Sequence, residues 1–147
     1  MKLEEVYDFL NRLEIVSMAT TEKDQPRVRI MALIPHNDKY WCCTISTRPK
    51  MEQFKANNKF EFCSIIKKNE NLGSIRACGR AKIVEDLKLK KELSEAIPFF
   101  SGYWHDYNDP KFGLILLDIE KIEVQSPYDK QFYIFNLKEG YNIKKGV

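Results

Sequence analysis

The chain has 147 residues, 44% hydrophobic and 31% charged, and its 24 Lys and Arg against 21 Asp and Glu leave a net charge of +3. That length suits one domain over residues 1–147 with a substantial core and is short for two. The lysines are scattered, which argues against a nucleic-acid binder with one concentrated basic face, and no apolar run approaches the ~20 residues that cross a bilayer.

The opening "MKLEEVYDFL" alternates charged with apolar residues, unlike a signal peptide, so a cytoplasmic protein is expected. Leu3, Val6, Tyr7, Leu10 and Leu13 recur at helical spacing and predict an amphipathic helix over 2–13. "EIVSMATT" turns to β-rich chemistry, "EKDQP" is a turn, and "RVRIMALIP" predicts a second strand ended by Pro35 and "HNDK". "YWCCTI" is the third strand, and short connections predict that the three form an antiparallel meander. A helix follows from about Pro49 to Asn57, with Pro49 suited to its first position and Met51 and Phe54 on its buried side.

"KFEFCSII" is a fourth strand with apolar residues at alternate positions. After the turn "KKNENLG", "SIRACGRAKIVED" is a longer fifth strand, in which Gly79 points to a bulge or a close backbone approach. Residues 86–96, "DLKLKKELSEA", predict a charged helix capped by Asp86 that buries Leu89, Leu93 and Ala96. An aromatic loop, "IPFFSGYWHDYNDPKF", leads to the sixth strand "GLILLDIEKIEVQ", and "QFYIFNL" is a candidate seventh. The polar end "KEGYNIKKGV", residues 138–147, reads as a loosely held tail. The expected fold is therefore mainly β: a small barrel of six or seven antiparallel strands with about three helices packed outside.

Cys42, Cys43, Cys63 and Cys78 form no CxxC pair and stand far from His36 and His105 in sequence. Each lies in an apolar, strand-like segment, so core thiols in a reducing compartment are expected and no metal site.

The stretch "TISTRPKMEQFKANN", residues 44–58, carries the chemistry. A helix N-terminus presents unpaired N–H groups and a partial positive charge. Thr44, Ser46 and Thr47 stand just upstream, and Lys50 falls in the first turn, where a cation opposes the helix dipole. An external anion such as phosphate would explain that placement. The competing reading makes Lys50 a solvated surface cation beside an ordinary cap. Arg29, between Val28 and Ile30, reaches the same helix start if the second and third strands pair, and its planar fork suits phosphate. Its alternative is a strand position facing solvent.

Taken in order, "VSMATTEKDQPRVRIMALIP", "YWCCTISTRPKMEQFKANNKFEF", "ACGRAKIVED" and "DPKFGLILLDIEKIEV" resemble the pyridoxamine 5′-phosphate oxidase-like superfamily of FMN-binding split barrels. That group includes general-stress and nitroimidazole-resistance-type flavoproteins, and the resemblance covers roughly residues 3–126. It implies a homodimer of split β-barrels with an FMN in each of two clefts at the subunit interface. By that resemblance Arg29 and Lys50 hold the FMN phosphate, with hydroxyls from Thr44 and Thr47 and, third, Ser46. The backbone at Ile30 and Met31 runs beside the isoalloxazine ring, and Cys43 touches the flavin from the third strand.

Three departures separate the chain from the true pyridoxamine-phosphate oxidases. Ile34 stands where those enzymes place a lysine, and Pro49 where an arginine commonly precedes the phosphate lysine. The end of the chain has no clear match to their arginine/histidine substrate segment. The resemblance thus implies an FMN-dependent oxidoreductase other than that oxidase. It would pass electrons or hydride to a small acceptor, with NAD(P)H as candidate donor. No catalytic acid or base is assigned. A non-catalytic flavin- or haem-binding module, or an enzyme of the deazaflavin F420, are the alternatives on the same fold.

Tyr103, Trp104, His105 and Tyr107 either cover the flavin or pack on the barrel end, and aromatic burial favours packing. Trp41 reads as core or dimer interface and His36 as a polar turn residue. Arg76 and Arg80 read as a solvated strand face.

Overall fold

Nine antiparallel strands curl into one open half-barrel in the computed structural model, which describes residues 1–138 and, by their backbone, 143–146. Helix α1 (Leu3–Leu10) leads into β1 (Ile15–Glu22), β2 (Gln25–Ala32), β3 (Ile34–His36) and β4 (Lys39–Ile45). Helix α2 (Pro49–Ala56) precedes β5 (Lys59–Lys68) and β6 (Asn71–Val84). Helix α3 (Leu87–Ala96) and a 3-10 turn (Phe100–Gly102) lead to β7 (Phe112–Gln125), β8 (Phe132–Asn136) and β9 (Ile143–Gly146). The strand order is β2-β1-β5-β6-β7-β4-β3, with β8 pairing β7 and β9 pairing β8. No helix among the described residues is long and apolar enough to cross a membrane.

The period of two in β1 and β5 aims Val16 and Met18, then Phe60, Phe62 and Ile66, into the barrel. Ile75, Ile122 and Phe135 meet them there, and Val6 and Leu10 of α1 with Met51 and Phe54 of α2 close the same core. A second core lies on the opposite face of β4 and β7, where Trp41, Phe112 and Leu114 pack under Leu93, Ile97, Phe100 and Trp104. Covered on both faces, β4 cannot alternate, which accounts for its unbroken apolar run.

Several local expectations hold. Lys23 and Asp24 both take positive φ, 46° and 65°, in the β1–β2 turn, as a two-residue hairpin requires. Asp86 caps α3 through its Oδ1, which accepts from the Leu89 N–H at 3.0 Å. Gly79 marks both a bulge, between Cys78 and Gly79, and a close approach: a Cβ there would stand 1.9 Å from the Asp118 carbonyl oxygen.

The meander is not formed. The segment "RVRIMALIP" breaks at Leu33, whose side chain is buried and whose N–H donates to the Glu14 carbonyl at 3.1 Å. Its first part pairs with β1, and its last two residues, with His36, pair with β4. Pro35, lacking an N–H, is tolerated there because β3 is an edge strand. The ladder partner of β4 along most of its length is β7. Cys63 is a second correction: Phe62 takes the inward position, so parity leaves Cys63 exposed outside. Of the tail expected over 138–147, residues 139–142 and 147 lie outside the described residues, and the backbone of Ile143–Gly146 pairs with β8.

Candidate functional site

The break at Leu33 leaves β2 and β4 facing each other across a seam instead of a ladder. In this seam lies a cleft of about 460 Å³, within the ~300–1,000 Å³ range of small-molecule sites. Ile30, Met31 and Ala32 form one wall, and Cys43, Thr44 and Ile45 the other. Among the described residues, 30–32 pair only with β1 and 43–45 only with β7. Each wall therefore offers unpaired backbone N–H and C=O groups along its free edge. Phe99, Tyr103 and Trp104 complete the lining with Arg48 and Lys50, which stand at the start of α2.

Positive charge gathers at that helix start. Arg48 occupies the cap position in extended conformation and makes no side-chain cap hydrogen bond, and Pro49 follows it. Arg48 N–H donates to the Ile45 carbonyl at 2.9 Å and Met51 N–H to the Arg48 carbonyl at 3.1 Å, and Pro49 has no N–H, which leaves that of Lys50 at the helix start. Arg29 pairs with Met18 across β1–β2, on the inward side of the sheet, which settles its orientation against the solvent-facing alternative. Its Nη2 donates to Gln53 Oε1 at 2.5 Å and its Nη1 to the Met18 carbonyl at 3.4 Å. Among the described residues, no carboxylate forms an ion pair with Arg29, Arg48 or Lys50. Partial burial lowers the pKa of Lys50, and the charges of Arg29 and Arg48 lower it further. Burial likewise lowers Arg29, with a further push from Arg27. Half-buried cations that repel one another and lack a protein counter-ion favour an external anion.

The rest of the lining is neutral. Burial pushes the Cys43 thiol up to about 12 and raises Cys42 as well, so neither is a thiolate near neutral pH. Thr44 is buried in the wall, its hydroxyl only loosely engaged by the Ile45 carbonyl at 3.5 Å.

The residues singled out from sequence divide plainly. Ile30, Met31, Cys43, Thr44 and Lys50 meet around the cleft. Arg29 is not part of its lining but stands near enough for its charge to act on Lys50. Thr47 is exposed in the β4–α2 turn, outside the lining. Ser46 is engaged elsewhere: its Oγ donates to the Pro110 carbonyl at 2.8 Å and its N–H to that of Lys111 at 2.8 Å. Trp104 packs in the second core and donates Nε1–H to the Lys111 carbonyl at 3.0 Å, so one edge serves packing and another the cleft. His105 is exposed and Tyr107 half-buried, both outside the lining. His36 meets Glu92 of α3 at 3.0 Å, and Trp41 is core. Arg76 pairs with Glu61 and Glu123, and Arg80 with Glu120, on the outer sheet face. Sequence reasoning missed Phe99 in the aromatic wall and Gln53 behind Arg29. The signal for Gln53 was its position three residues after Lys50, on the same helix face.

An antiparallel half-barrel with cations at a helix start beside its open seam defines a class of split barrels. The chain belongs to the pyridoxamine 5′-phosphate oxidase family, whose model matches residues 3–126. It is similar in fold to a NimC/NimA family protein from Clostridium acetobutylicum, with TM-score 0.68 and 21% identity over 97% of this chain and 92% of that one. General Stress Protein 26 from Bacillus anthracis aligns with TM-score 0.71 and 19% identity over 90% and 98% of the two chains. A haem-binding protein from Mycobacterium smegmatis aligns with TM-score 0.76 and 12% identity, over 92% of this chain and 57% of that one. No curated protein matches the chain in sequence.

Proposed function

We propose that the chain is a cytoplasmic, homodimeric FMN-dependent oxidoreductase that passes electrons or hydride, with NAD(P)H as candidate donor, to a small acceptor. The observation that carries this reading is the set of cations Arg29, Arg48 and Lys50, without carboxylate partners, around an uncapped helix start beside the cleft. A phosphate dianion asks for about two cations and neutral donors. Arg29 and Lys50 supply the charge, and the N–H of Lys50 with the hydroxyls of Thr44 and Thr47 supply the donors. The free edges at Ile30–Met31 and at Cys43 suit an uncharged polar ring, which needs backbone partners and apolar walls. The flavin, when bound, supplies the redox chemistry, and the protein supplies position, electrostatics and exclusion of water.

The outer face of the sheet supports the homodimer in this reading. Val28, Ile30 and Ile65 are 69%, 64% and 67% exposed there, on β2 and β5, the neighbours of β1. A second copy would cover that face and, with it, the open side of the cleft. Ile34, buried and without an ammonium group, and Pro49 before Lys50 argue against pyridoxamine-phosphate oxidation. A haem module is less well served, since neither histidine lines the cleft.

The test is the absorption spectrum of the purified protein with mass identification of the released ligand. A flavin spectrum and the mass of FMN are expected. A colourless protein that retains no FMN on reconstitution sinks the reading, and a haem Soret band or a deazaflavin mass replaces it. Stopped-flow reduction by NADH or NADPH then separates an enzyme from a non-catalytic module.

A further inference from the structure

Two donors from different strands converge on one atom of α2. Thr20 Oγ1, from β1, donates to Gln53 Oε1 at 2.7 Å, and Arg29 Nη2, from β2, donates to the same oxygen at 2.5 Å. Thr20 and Gln53 are 3% and 8% exposed. A guanidinium has no acceptor, so the amide must turn its oxygen toward Arg29 and its NH2 away. The NH2 accordingly faces Glu22 Oε2 at 3.4 Å, the same oxygen that receives Arg27 Nε at 3.3 Å. Gln53 lies three residues after Lys50, so one face of α2 carries both the cation and the group that holds the second cation.

From this geometry we infer that Gln53 is the positioning residue of the anion site. It fixes the Arg29 guanidinium and leaves its charge free, and so makes the cleft select a phosphorylated flavin over the unphosphorylated one. The inference rests on the cofactor reading above and deepens it. A carboxylate at position 53 would hold the fork as firmly but would neutralise it. An amide orients without neutralising. Arg29 is thereby ordered before any ligand arrives, and the cost of immobilising its long side chain is met during folding and not on binding. Thr20, buried and directed at the same oxygen, keeps the amide from rotating.

The full chain is titrated with FMN and with riboflavin, in the wild type and in Gln53→Leu, each with and without Arg29→Ala. Gln53→Leu should weaken FMN about tenfold, the scale of a lost hydrogen bond to a charged group, and leave riboflavin unchanged. In the Arg29→Ala background it should cost nothing further, because it acts only through Arg29. Equal losses for FMN and riboflavin, or a loss that persists without Arg29, overturn the inference. Thr20→Val, a milder change, should show the same selective loss on a smaller scale if Gln53→Leu folds poorly. A separate arm reads the ligand-free protein by NMR of the arginine side chains. Rotation about the Arg29 Cζ–Nη bonds should be slow in the wild type and released in the variant that folds. Free rotation in the wild type overturns the positioning role. A wild type that binds neither flavin sinks the cofactor reading alone and leaves this arm to decide the role of Gln53.

Discussion

Gly113 of β7 and Thr44 of β4 are ladder partners held so close that a Cβ on Gly113 would stand 2.9 Å from the Thr44 carbonyl oxygen. The same Cβ would meet the Met51 thioether at 3.3 Å. The bare backbone at 113 thus seats both a wall of the cleft and the first turn of α2. Gly113→Ala should destabilise the fold by about 1–3 kcal/mol through overpacking. Because the helix start shifts with Met51, FMN affinity should fall as well. Denaturant unfolding and flavin titration check the two effects, and an unchanged midpoint would show that the contact has slack.

Removing both cations tests the phosphate position directly. Arg29→Ala combined with Lys50→Ala should lower FMN affinity by about 100-fold or more, at a hydrogen bond to a charged group for each. Riboflavin, lacking the phosphate, should bind nearly as before. Unaltered FMN affinity would place the phosphate elsewhere.

Lys50 should also report on the ligand-free state. Its folded pKa is below the ordinary lysine value, first through burial and then through Arg29 and Arg48. The unfolded chain therefore holds that proton more tightly, and the charge lowers stability at neutral pH. This penalty disappears as pH rises through the lowered pKa to the ordinary lysine range. Lys50→Met should raise the ligand-free Tm at neutral pH, by no more than about 2 °C because the group is half exposed and screened. The gain should vanish in alkaline buffer; a gain of the same size there would trace to apolar packing instead of charge.

Assembly is tested on residues away from the cleft. Val28→Glu with Ile65→Glu places two carboxylates on the exposed outer face of the sheet. Light scattering after size exclusion should move from twice 17.4 kDa to 17.4 kDa. FMN retention should drop with it. A wild type that already runs at the mass of one chain removes the dimer from the proposal.

A last prediction concerns Glu92, whose carboxyl is held below its ordinary pKa by His36 and then Asn37. Its tie between α3 and the β3–β4 turn is present above the ordinary carboxylate range and is lost as pH falls through the lowered value. Glu92→Gln should therefore lower Tm at neutral pH and match the wild type in strong acid. Parallel melting curves would deny the tie any energetic role.

What was legible in the sequence is what neighbours in the chain determine. The Asp86 cap, the hairpin turn at Lys23–Asp24, the bulge at Gly79 and the inward parity of Phe60 and Phe62 all follow from residues a few positions apart. Lys50 was legible for the same reason, since a cation misplaced on a helix dipole is a local contradiction. The break at Leu33 was not, because the apolar run continues through it and the reason lies in the bond to Glu14. Ser46 resembled a ligand hydroxyl until the chain returned at Pro110, 64 residues on, to accept from it. Gln53 looked like one polar residue on a short helix. Only the approach of β2 gives its oxygen a purpose.

The double cover on β4 has a consequence for motion. Local opening requires breaking contacts, and β4 has a packed core on each face, so amides along it should be among the slowest to exchange with solvent. β2 has no second cover: Val28 and Ile30 stand bare on its outer side, and its far edge is unpaired. The two walls of the cleft therefore differ in cover, one packed on both faces and one on a single face, and amides of the β2 wall should exchange faster than those of β4.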